Sequence, residues 1–101
     1  MSETNHIVSL EHAASMTHAY QSAPEYNGKT IATKISASAY QEVINQPGCE
    51  GIRTYFALDN DTLTTVVVGV DASGNDITAG VILDDADWCP DECNFVSTLK
   101  L

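Results

Sequence analysis

The stretch from residue 51 to residue 83 restricts what this chain can fold into more than any other. It holds two strand-like runs, 52–58 and 63–70, separated by Asp59-Asn-Asp-Thr62, and a third, 77–83, after Asp71-Ala-Ser-Gly-Asn-Asp76. The connectors are rich in residues that tolerate tight or left-handed backbone, so the pattern predicts three antiparallel strands in a meander. Alternation places Ile52, Thr54, Phe56 and Leu58 on one face and Arg53, Tyr55 and Ala57 on the other. In the second run Val66, Val68 and Val70 oppose Leu63, Thr65, Val67 and Gly69. Neither face is cleanly polar. A sheet that is apolar on both sides needs cover on both sides, and this chain has few other elements to supply it.

A chain of 101 residues makes one domain, residues 1–101, with a modest core. Hydrophobic residues make up 44% and charged residues 18%, which suits a folded chain. Fourteen Asp and Glu against four Lys and Arg give a formal net charge of -10. Such a surface repels phosphate backbones and anionic lipid, which argues against nucleic acid or a membrane as partner. It fits solubility, adaptation to salt, or association with cations and basic proteins. The polar, acidic N-terminus lacks the basic and apolar regions of a signal peptide, and no apolar run reaches the ~18 residues of a membrane helix. The expectation is a cytoplasmic protein with reduced thiols.

Ser9 is placed to cap a helix over about 10–21, with Leu10, Ala13, Ala14, Thr17 and Tyr20 inward and Glu11, Ser15, His18 and Ser22 outward. Pro24 and Asn27-Gly28 end it. Residues 29–35 read as a short extended segment. Ser38 and Gln41 have capping-box spacing, which predicts a second helix from about Ala39 with Tyr40, Val43 and Ile44 inward. Pro47-Gly48 stops it. The expected architecture is therefore α+β, two helices packed on an antiparallel β-meander of three to four strands.

Chemistry concentrates in residues 84–93, where Asp84, Asp85, Asp87, Asp91 and Glu92 accompany Cys89 and Cys93. Carboxylates suit Ca²⁺ and thiolates suit Zn²⁺, so Asp84, Asp85, Asp87, Cys89, Asp91 and Cys93 form a candidate metal set. The spacing matches neither an EF-hand loop nor a C-x-x-C redox site. A zinc site from Cys49, Cys89, Cys93 and one histidine, a Cys89–Cys93 disulfide, and buried inert thiols all stay open, with inert thiols the leading reading. Trp88 reads as a core anchor or an interface residue. His12 and His18, six residues apart, point in different directions around a helix and do not form a ligand pair. No nucleophile elbow and no phosphate-binding glycine loop occurs. The turn over 71–76 is explained better as a hairpin connection than as a Ca²⁺ loop. Arg53 is expected to pair with an acidic neighbour across the sheet.

The segments Gly51-Ile-Arg-Thr-Tyr-Phe-Ala-Leu-Asp59, Val67-Val-Gly-Val-Asp-Ala-Ser-Gly-Asn-Asp76 and Cys89-Pro-Asp-Glu-Cys93 resemble a family of small uncharacterised bacterial proteins with GIRxYF, VGVDxxGND and terminal CPxxC motifs. The resemblance implies a shared fold and a shared role for the two cysteines, and no activity. From the residues, the first expectation is a non-enzymatic structural protein that associates with itself into a homo-oligomer or filament. Its contacts would be the polar β-branched edge Thr62, Thr64 and Thr65, together with Trp88. The alternatives are a small metal-binding or thiol redox module working through residues 84–93, with Ca²⁺ or Zn²⁺ as the only cofactor in view, and an acidic adaptor or inhibitor.

Overall fold

Two serine caps start the helices. In the computed structural model, which describes residues 6–84 and 86–101, helix α1 spans Leu10–Ser22 and the Ser9 hydroxyl accepts from the His12 N–H at 3.0 Å. A 3₁₀ turn at Pro24–Tyr26 follows, and the Tyr26 ring stacks on Tyr20 at 4.6 Å. Strand β1 covers Ala32–Lys34 and helix α2 covers Ala37–Ile44. The α2 cap is Ser36, which accepts from the Ala39 N–H at 3.3 Å, and Ser38 only shares a hydroxyl contact with it. The helix thus begins two residues earlier than the Ser38–Gln41 spacing implies. Strands β2 (Cys49–Asp59) and β3 (Thr62–Asp71) form the long hairpin, and β4 (Ile82–Leu83) and β5 (Asp87–Cys89) are short.

The hairpin fixes the rest. Its loop is Asn60-Asp61, both with positive φ (48° and 66°), the backbone that two-residue β-hairpins need and that these two residues tolerate. Pairing then runs Asp59↔Thr62 to Gly51↔Val70, with a register shift between Cys49 and Gly51. The three-stranded sheet has the order β2-β3-β4, and β1 with β5 forms a separate two-stranded antiparallel ribbon. The fold is α+β with an antiparallel meander, as the sequence predicts, and the ribbon is the added feature.

The third strand of the meander is much shorter than the run 77–83. Ile77 N–H still donates to Gly69 C=O at 2.8 Å and Asp76 bridges Val70, but strand pairing resumes only at Ile82 and Leu83. Between them the Gln46 side chain intervenes: its amide oxygen accepts from the Val81 N–H at 2.8 Å while its NH₂ donates to Val43 C=O. A Cβ on Gly80 would lie 2.0 Å from that oxygen, so glycine lets the chain bulge around the amide. The turn over 71–76 is a hairpin connection, with Asp71 Oδ1 accepting from the Ser73 and Asn75 N–H groups.

Helix α2 packs on β2 and β3. Val43 and Val67 are fully buried, and Ala14, Val68, Ala86 and Cys89 complete the apolar core. Gly69 sits under the helix, where a Cβ would come within 3.0–3.4 Å of Cys49 Sγ, Gln46 Nε2 and Val43 Cγ1. Helix α1 buries Ala14, but Leu10 is exposed, as is Ile44 on α2, so both predicted inner faces are narrower than their apolar spacing. His18 also departs from its outward placement. The C-terminal segment crosses that side of α1, with His18 Nε2 2.9 Å from Thr98 C=O and Thr17 and Gln21 donating to Leu99 C=O.

The result is an open structure. The accessible surface is 7375 Å², against about 5,500 Å² for a compact monomer of 10.8 kDa. The six residues outside the description supply at most about 1,000 Å² of that excess even at full extension. The Cα radius of gyration is 15.1 Å, where a compact domain of this length has about 13 Å.

Candidate functional site

The exposed apolar surface gathers on the hairpin. Among the described residues β2 has β3 on one side and no strand on the other, and nearly every residue along it is exposed. Phe56 is 82% and Leu58 71% exposed, with Ile52 and Tyr55 also open to solvent. From Gly51 to Leu58 the strand carries no acidic residue, in a chain with fourteen. Natural edge strands are usually blunted by charge, proline or cover; here Glu50 and Asp59 stand near the two ends of β2, and between them the one charged side chain is Arg53.

Arg53 is neutralised within the fold. Its guanidinium donates to Asp76, and the Tyr55 hydroxyl donates to the second oxygen of the same carboxylate. The Tyr55 hydrogen bond, then Arg53, holds the Asp76 carboxyl below its ordinary range against some opposing desolvation. The same bond to Asp76 raises the Tyr55 hydroxyl, and Asp76 raises Arg53. Charge is thereby tied down on one face of β2 while Ile52, Phe56 and Leu58 lie on the other.

That second face opens on a groove between the hairpin, α1 and β1. Two adjoining hollows of about 370 and 730 Å³ share Tyr20, Thr30, Phe56 and Leu63 as walls. Tyr20 spans the first, its hydroxyl donating to Thr30 C=O at 2.8 Å.

The residues expected to form a self-pairing edge lie elsewhere. Thr62, Thr64 and Thr65 belong to β3, the central strand, and pair with Asp59, Ala57 and Phe56. Thr64 is buried and accepts from the Trp88 indole N–H at 2.8 Å, and Thr65 Oγ1 lies 3.1 Å from Thr33 Oγ1. Their side chains join the β1–β5 ribbon to the hairpin. Trp88 is accordingly a half-buried internal anchor. The run of threonines resembles an edge because its side chains are polar, but here the polarity is used inside the chain. Backbone position rather than side-chain type decides which strand is outermost.

The acidic segment does not come together as a cluster. Cys89 and Cys93 form a disulfide, in place of the inert thiols that led the sequence reading, and Cys49 remains as the free thiol. Asp87 lies 3.5 Å from Lys34 across the β1–β5 ribbon, a solvent-exposed pair worth little. Asp84 and Asp91 are exposed, and Asp85 lies outside the described residues. Among the described residues no three His, Cys, Asp or Glu side chains are placed to hold a metal ion, and a disulfide removes both thiolates that Zn²⁺ would need. Also among the described residues, no helix is long and apolar enough to cross a membrane. The residue the sequence reading passed over is Gln46, whose only local signal is an amide two residues past a helix end. Comparison with protein-family models, with curated proteins and with solved structures gives no match for this chain.

Proposed function

We propose that this chain is a non-enzymatic structural protein whose function is to associate with copies of itself, as a homo-oligomer or filament. The observation that carries the reading is the outer strand β2, eleven residues long, exposed, free of acidic side chains from Gly51 to Leu58, and lined by Ile52, Tyr55, Phe56 and Leu58. Soluble monomers seldom leave such an edge open, because it templates pairing with another chain. The surface in excess of a compact monomer is about 1,900 Å², and the roughly 900 Å² left after the six residues outside the description are discounted is comparable to the ~800 Å² per partner that a standard interface buries. Neither nucleic acid nor anionic membrane suits a net charge of -10. The metal-binding and thiol redox alternatives have less support, since Cys89 is buried and paired. The Cys89–Cys93 pair would persist as a disulfide in oxidising surroundings and be held as two thiols in the cytoplasm that the N-terminal sequence points to.

Sedimentation velocity over a concentration series tests the reading. Particle mass should rise above that of one chain with concentration, and a constant monomer would remove it.

A further inference from the structure

The backbone of β2 says how two copies would meet. Gly69 C=O accepts from Ile77 N–H and Asp71 N–H donates to Asn75 C=O, so the odd-numbered residues of β3 point their backbone groups away from β2. In the observed register the even-numbered residues of β3 therefore bond to Gly51, Arg53, Tyr55, Ala57 and Asp59. It follows that the N–H and C=O groups of Ile52, Thr54, Phe56 and Leu58 point outward. Among the described residues no backbone hydrogen bond from another segment reaches them.

Resting on the self-association proposed above, we infer that β2 pairs antiparallel with β2 of a second copy, with Tyr55 on the two-fold axis. In this register Ile52 meets Leu58 and Thr54 meets Phe56 of the other copy, each as a hydrogen-bonded pair. All four outward residues on each strand are used, giving about eight backbone hydrogen bonds. Slipping the register by two residues in either direction leaves outward groups unpaired or brings Glu50 into the pairing. The two sheets become one of six strands, and Ile52, Phe56 and Leu58 of both copies line one continuous face. On the opposite face Arg53 and Tyr55 stay bound to Asp76, so no unpaired charge enters the seam. Because the contact is the same patch on both copies, it closes as a dimer, and any filament would need a second surface.

The test uses Thr54→Pro in the full chain. Proline at an outward-facing edge position removes an N–H that the monomer does not use, so the fold survives while pairing is blocked. The expected result is a folded protein that stays monomeric at concentrations where the parent associates. A Thr54→Pro protein that associates as the parent does overturns the edge pairing and leaves self-association standing, whereas a parent that is itself monomeric sinks both. Amide exchange on the parent gives an answer even where the proline variant fails to fold. On association the Ile52, Thr54, Phe56 and Leu58 amides should gain protection, and their remaining unprotected in an associated particle overturns the inference. Tyr55→Cys reports the register: a non-hydrogen-bonded pair on the axis has the Cα separation of a disulfide, so this variant should cross-link on oxidation. An associated variant that does not cross-link contradicts the register.

Discussion

Replacing Phe56 by threonine should separate folding from association. Phe56 is 82% exposed, so the isolated chain gains little from the ring, and threonine keeps the strand preference of the site. The monomer should therefore change by no more than about 0.5 kcal/mol, which is ~2–4 °C in melting temperature. In the β2 pair the ring lies on the joined sheet face beside Thr54 of the other copy, where it is covered in part rather than enclosed. Burying a phenylalanine fully is worth about 1.5–3 kcal/mol, so half that cover is worth ~1 kcal/mol; a two-fold contact counts it twice, and ~2 kcal/mol is lost from the dimer. At 1.4 kcal/mol per factor of ten, the dissociation constant should rise roughly 30-fold. Sedimentation equilibrium gives the constant, and thermal denaturation at a concentration where the parent is monomeric gives the stability. A variant that dimerises as tightly as the parent, or whose monomer melts many degrees lower, would refute the assignment of Phe56 to an interface.

Val67→Ala should do the opposite: Val67 is fully buried in the central strand, so the lost methyl groups and the cavity should cost about 2–3 kcal/mol and lower the melting temperature by ~10 °C or more. An unchanged melt would show that the core lies elsewhere. Replacing Cys89 and Cys93 by serine opens a small loop, and chain entropy sets the cost at about 2 kcal/mol; a chelator should leave the melt of the parent unchanged, and a chelator-dependent drop would restore the metal reading. Asp76 has a folded-state pKa below its unfolded value, so its contribution to stability is present above the ordinary carboxylate range and is lost as pH falls through the folded value. Carboxyl NMR should show Asp76 titrating below the ordinary carboxylate range, with Tyr55→Phe returning it toward that range; ordinary titration of Asp76 in the parent would contradict the cluster.

What could be read from the sequence was local. The hairpin shows in Asn60-Asp61 between two alternating runs, because turn chemistry and period are properties of neighbouring residues. Helix α1 shows in Ser9 and the spacing of Ala13, Ala14, Thr17 and Tyr20 for the same reason. The run 77–83 overstates the third strand because Gln46, thirty-five residues before Val81, takes an N–H that strand pairing would use. Thr62, Thr64 and Thr65 do not form the edge their polarity suggests, because polarity marks an edge only when no other element needs it, and Trp88 and Thr33 take the Thr64 and Thr65 hydroxyls. Pairing of β1 with β5 joins segments more than fifty residues apart, beyond what a local pattern encodes.

Particle mass as a function of salt and protein concentration tests self-association most directly. Each copy carries a formal charge of -10, and the resulting repulsion is screened over a Debye length of ~10 Å at 0.1 M salt. An interface of strand edges and apolar side chains should therefore strengthen as monovalent salt rises, with mass climbing from 10.8 kDa toward multiples of it. Light scattering that finds 10.8 kDa at every salt and protein concentration would contradict the proposal.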